Sequence, residues 1–189
     1  FPKIFSDLEN QALMELYIAA VNESMNESSY PAKLAGMDYS VISDVEGITI
    51  IVNGYSDSID DLLVEILENM KKLNISADQF IPIRDKRIRD WKNFNKGNAY
   101  QIARQHMRKI IRKYYYTTDE YIELAKEISL DEVNRFSKKL LKKGFIQGMI
   151  YGNVNKEQAQ SNTDLIIKTL KIKAVQWNKV SHQKNLTFN

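Results

Sequence analysis

Arg104, Arg108 and Arg112 recur every fourth residue, Lys109 and Lys113 stand beside them, and Arg84, Arg87 and Arg89 precede them. A ladder of this kind suits anionic oxygens, because a planar guanidinium can donate two parallel hydrogen bonds to a carboxylate or phosphate. Residues 84–114 hold eleven basic and two acidic side chains, whereas residues 1–70 hold two basic and thirteen acidic ones. The net charge of +3 therefore conceals two opposed fields. Three readings of the basic stretch stay open: a solvated positive face partly neutralised by the acidic first third, a wall that binds anions or steers peptide, and a nucleic-acid surface. Trp91 and the run Tyr114-Tyr115-Tyr116 would stack bases in the third reading. No RNP, KH or helix-turn-helix signature accompanies them, which disfavours nucleic acid.

Other chemistries find fewer residues. The two histidines, His106 and His182, are far apart, and neither H-x-x-E-H nor its inversion occurs. His106 shares a helical stripe with Ala99, Ile102, Ala103, Ile110 and Tyr114, so it is expected at the edge of the core; His182 is expected in a solvated tail. A catalytic zinc needs about three protein ligands, usually including His, and this chain offers no such set. Cysteine is absent, which removes thiolate nucleophiles, disulfides and Cys-containing zinc sites. There is no G-x-S-x-G elbow and no glycine-rich phosphate loop. Asp60, Asp61, Glu65 and Glu68 fall on the polar side of an amphipathic helix and read as a solvated face. Taken alone, the segment is expected to hold no catalytic residue, metal ligand or cofactor.

The elements that position these residues follow from periodicity. The chain has 189 residues, 43% of them hydrophobic, which suits one globular domain with or without an arm. No apolar run is long enough to cross a membrane. An opening Phe in place of Met suggests a piece of a longer polypeptide, and the lack of cysteine leads us to expect a cytoplasmic setting. The sequons at Asn22, Asn26, Asn74 and Asn185 read as chance in an Asn- and Ser-rich chain.

Residues 7–27 form a helix with Leu13, Leu16, Tyr17, Ala20 and Val21 on one face, and a short turn at 33–36 ends at Gly36 in the left-handed conformation. Tyr39, Val41 and Val45 alternate with polar residues, as do Ile48, Ile50 and Val52, with Glu46-Gly47 as the hairpin turn. Ile59, Leu62, Leu63, Ile66, Leu67 and Met70 make a helical stripe. Ser76 with Gln79 caps a helix reaching Phe94, which Pro82 must kink or restart. Helices over 99–114 and 118–125, and one capped by Ser129 with Glu132, come next. Residues 144–154 read as a strand and 156–170 as a helix. The expected fold class is α+β, a mainly antiparallel sheet with helices packed on it. Residues 1–170 form the domain, and 171–189 a tail or linker toward a following domain.

Five stretches resemble, in order, the non-catalytic third (middle) domain of the insulysin–pitrilysin zinc metallopeptidases. They are "YPAKLAGMDYSV", "GITIIVNGYSDSIDDLLVEIL", "SADQFIPIRDKRIRDWKNF", "TTDEYIELAKEISLDEVNRFSKKLL" and "GFIQGMIYGNVNKEQA", within residues 12–170. The resemblance implies a metallopeptidase-repeat domain (LuxS/mitochondrial-processing-peptidase-like), here lacking its first strand. It further implies a long polypeptide of four such domains around a closed chamber, with zinc and H-x-x-E-H in the first. The partners implied are those other domains, a peptide substrate and polyanions; no membrane is implied. The positive wall of that family's second half makes Arg104, Arg108, Arg112, Lys109, Lys113, Arg84 and Arg87 the matching candidates for steering, by character and not by motif. An Asn- and Lys-rich composition suggests an AT-rich or fungal source, for which a relative that trims the farnesylated mating-pheromone precursor is a candidate parent. The alternative is a stand-alone interaction module whose basic helix face binds polyanions, nucleic acid or an acidic partner.

Overall fold

The computed structural model describes residues 7–26, 28–43, 47–55, 58–73, 75–180 and 186. Helix α1 (Leu8–Ser24) is the axis of the fold, and Asp7 starts it by accepting a hydrogen bond from the Asn10 amide at 2.8 Å. It buries Ala12, Leu13, Met14, Leu16, Tyr17, Ile18, Ala20 and Val21, residues that occupy nearly every side of the helix. A helix that is apolar all round must be enclosed. Five elements enclose it: hairpin strand β1 (Asp38–Ser43) and helices α3 (Ile59–Lys71), α4 (Ala77–Phe94), α6 (Thr118–Ala125) and α7 (Leu130–Leu140). Fully burying a leucine contributes roughly 1.5–3 kcal/mol, so this helix anchors the body. The Tyr17 hydroxyl, carried into the interior, donates to the Met70 carbonyl at 2.5 Å, and burial pushes its pKa well above the phenol range.

The hairpin pairs β1 with β2 (Ile48–Asn53), antiparallel, from Asp38 opposite Asn53 to Ser43 opposite Ile48. The expected turn lies mostly outside the described residues, which resume at Gly47. Upstream, α2 (Tyr30–Leu34) is the short turn, and Gly36 adopts φ +78° as expected. Gly54 permits a close approach, since a Cβ there would lie 2.7 Å from Met37 Cγ. The capping boxes expected at Ser76/Gln79 and Ser129/Glu132 both form.

The structure refines two expectations. Pro82 does not restart the helix: α4 runs continuously through it. Pro82 lies in the second turn, where it removes only one ladder bond, and it is exposed. The strand over 144–154 reduces to β3 (Lys143–Gly144), which pairs in parallel with β4 (Lys173–Ala174); residues 145–150 are exposed and belong to no strand. An extended segment becomes a ladder only where a neighbour supplies donors and acceptors, and no described residue does so here. The fold is therefore helix-rich, with a small antiparallel sheet formed by the β1–β2 hairpin. Helix α8 (Lys156–Leu170) leans on α3, and the chain then returns through β4 to place Trp177 against Phe145, ring centroids 5.1 Å apart.

Candidate functional site

The basic residues lie on α4, on helix α5 (Ala99–Ile111) and just beyond it, and the structure divides them into three groups. Arg84 and Arg87 turn toward the body. Arg84 Nη1 donates to the Ile128 carbonyl at 3.1 Å, and Arg87 pairs with Glu15 of α1 while its guanidinium lies 5.2 Å from the Trp91 ring centroid. Lys109 is also engaged: its Nζ donates to both Glu120 carboxylate oxygens, at 2.6 and 2.8 Å, and lies 5.0 Å from the Tyr116 ring. The remaining group is Arg104, exposed; Arg108 and Arg112, half-buried; and Lys113, exposed with its Nζ 5.1 Å from the Tyr114 ring. Arg89 is exposed on α4. The seven candidates thus do not form one wall.

The orientation of α5 is the reverse of the expected one. Gln105 is its buried residue, while Tyr100, His106, Met107 and Ile110 are exposed. His106 is therefore not a core-edge histidine. The physical reason lies in what α5 faces: the start of α6, where Thr117, Thr118 and Glu120 offer polar groups. Glu120 Oε2 accepts from the Thr117 amide at 2.8 Å and its hydroxyl at 3.0 Å. Burial alone would raise the Glu120 pKa, but the hydrogen bonds from Lys109 and Thr117 outweigh it and hold the carboxyl below its ordinary value. Helix α5 is held by this polar latch and not by an apolar seam.

Between α1, α4, α5 and α6 lies a cavity of about 220 Å³ that includes Gln11, Glu15, Trp91, Gln105, Tyr115 and Tyr121 in its lining. Trp91 and Tyr121 stack with centroids 5.4 Å apart. The Tyr121 hydroxyl donates to Gln11 Oε1 at 2.6 Å, and Gln11 Nε2 donates to the Tyr114 carbonyl at 2.9 Å. Tyr114 has φ +62°, a left-handed conformation that costs a non-glycine residue about 1–2 kcal/mol and that turns the chain out of α5. Burial, then the Glu15 charge, push the Tyr121 pKa well above the phenol range. Glu15 accepts from both Ser43 Oγ and Arg87, so its oxygens are in use within the fold. The cavity is a polar-aromatic joint, and the carboxylate that Ser43 Oγ meets there, Glu15, is already paired with Arg87. The sequence marks Trp91 and the tyrosine run only as residues that would stack bases in a disfavoured nucleic-acid reading; the Tyr114 and Tyr121 links to Gln11 span more than a hundred residues and leave no periodic trace.

Zinc finds no fit among the described residues. No three His, Asp or Glu side chains converge among the described residues, and His106 has Gln105 and Met107 as neighbours on α5. His182 lies outside the described residues. Of the four sequons, Asn22 uses its amide to donate to the Val41 carbonyl at 2.9 Å, a structural task; Asn74 and Asn185 lie outside the described residues.

Comparison with known proteins adds four findings. Residues 1–124 match the family model described as the middle or third domain of peptidase M16. The chain is 29% identical to human insulin-degrading enzyme over 155 residues, covering 82% of this chain and 15% of that protein. It is 23% identical over 169 residues to the A-factor-processing enzyme of Saccharomyces cerevisiae, covering 89% of this chain and 16% of that one. The fold matches the crystal structure of pitrilysin with a TM-score of 0.79 at 21% identity, covering 93% of this chain and 19% of pitrilysin. The chain thus spans about one sixth of the length of the curated relatives it matches.

Proposed function

Because the chain belongs to the M16 peptidase family, as its middle or third domain, we propose that it is a catalytically inert module of a zinc metalloendopeptidase. In this reading it forms part of the wall of a closed substrate chamber, and its positive edge steers or orients peptide. Water attack on the scissile carbonyl is organised by zinc and a glutamate held elsewhere in the polypeptide. The family match over residues 1–124 carries the proposal.

The internal contacts of Arg84, Arg87 and Lys109 leave Arg104, Arg108 and Arg112 as the cationic edge, with Lys113 beyond the helix end. Steering of this kind acts through the field, so it weakens as salt screens it over about 8–10 Å. The test uses the full-length polypeptide with Arg108→Gln and Arg112→Gln. For an acidic peptide at low salt, KM rises about threefold or more, kcat holds, and the difference disappears at high salt. An unchanged KM at every salt concentration removes the steering role.

A further inference from the structure

Helix α5 carries a second feature that steering does not use. Tyr100, Ala103, Met107 and Ile110 follow steps of three, four and three, the spacing of a helix–helix seam, and Tyr114 continues the series beyond the helix end. Their exposures are 65% for Tyr100, 52% for Met107, 61% for Ile110 and 40% for Tyr114, and Ala103 is also exposed. At 100° per residue this stripe stands opposite Gln105, the side chain that faces the body. An ordered apolar seam about 15 Å long, turned to solvent while a glutamine faces inward, marks an interaction surface.

The charges beside the seam identify its partner. Arg104 borders it on one side and His106 on the other, and Lys113 follows the helix end with its Nζ 5.1 Å from the Tyr114 ring. Residues 99–114 contain no carboxylate at all. A second copy of this helix would set cations against cations, which disfavours self-pairing. A membrane surface is disfavoured too, since the seam lacks the Trp, Phe and Leu of interfacial helices. The relatives matched by this chain are several times its length, so neighbours within one polypeptide are at hand. We infer that the Tyr100–Ile110 seam is the docking face for an acidic amphipathic helix from another domain of the same polypeptide. Apolar side chains of that helix interleave with Met107 and Ile110, and its carboxylates meet Arg104 and Lys113. Arg108 and Arg112, farther round α5 toward the body, stay clear of the seam and available to substrate. The inference rests on the reading of the chain as one module of a longer protein.

The chain has no cysteine, which permits a site-specific test. Met107→Cys and, as control, Lys86→Cys on exposed α4 surface are each introduced into the 189-residue chain and into the full-length polypeptide. Labelling by a charged maleimide is followed at each site by mass spectrometry. In the short chain both sites react at similar rates. In the full-length protein the Met107→Cys site slows at least tenfold while the control does not, and adding Lys113→Glu restores reactivity. Equal labelling of the two sites in the full-length protein overturns the inference. So does protection in the short chain that grows with its own concentration or with phosphatidylserine vesicles. Peptide hydrolysis by the same full-length protein is scored separately: its loss defeats the metallopeptidase reading without affecting the labelling result.

Discussion

Helices α1 and α5 both advertise apolar spacing, yet they are held in opposite ways. α1 is enclosed over most of its surface, and Leu16, Tyr17, Ala20 and Val21 are inaccessible to solvent. α5 turns its apolar seam outward and is fastened by Gln105, by Lys109 on Glu120 and by the polar start of α6. A hydrophobic stripe states that something covers a helix face; it does not state that the covering lies in the same domain. Burial stabilises α1 through the core, whereas α5 depends on a few polar contacts and opens at lower free energy.

The largest effect that separates the two helices comes from truncation. Leu16→Ala should cost about 2–5 kcal/mol in urea unfolding, while Ile110→Ala should stay within about 0.5 kcal/mol of wild type. Comparable losses at both sites would erase the distinction. Alkaline pH comes next. Burial favours the neutral phenols of Tyr17 and Tyr121, so their folded pKa values lie above the unfolded value of about 10. Their stabilisation is fully present below that value and is lost as pH rises beyond it. Tyr17→Phe should cost about 1 kcal/mol at neutral pH through the lost bond to Met70 and should flatten the alkaline limb.

A smaller and more local effect tests the latch. Lys109→Met should speed amide exchange over residues 99–111 several-fold while global stability falls by no more than about 1 kcal/mol. The Glu120 carboxyl, held below its ordinary value, contributes stability above its unfolded pKa of about 4.3. That contribution disappears as pH falls through the folded value, so the exchange protection of α5 should drop before the α1 amides are affected. The smallest effect concerns Lys171, at the end of α8 with φ +52°. Lys171→Gly relieves a left-handed side chain and should raise stability by up to about 1 kcal/mol.

Sequence periodicity located most helices because their cause is local. Ser76 with Gln79 and Ser129 with Glu132 announce two of them by chemistry confined to four residues. Thr117 with Glu120 and Asn155 with Gln158 carry the same signal and also form boxes. The facing of α5 was not legible, because a stripe of Ala103, Ile110 and Tyr114 reads the same whether it meets this core or another surface. The 145–150 segment was misread for a related reason: alternation prescribes an extended chain, and only a neighbour makes it a strand. Of the cationic candidates, the inward contacts of Arg84 and Arg87 were not legible, because their partners, the Ile128 carbonyl and Glu15, are distant in sequence.

The most direct measurement of the central claim is the metal content and peptidase activity of the purified chain. After equilibration with zinc and gel filtration, the account predicts far less than one zinc per chain and no peptide cleavage above buffer. Stoichiometric zinc together with chelator-sensitive cleavage by these 189 residues alone would contradict it.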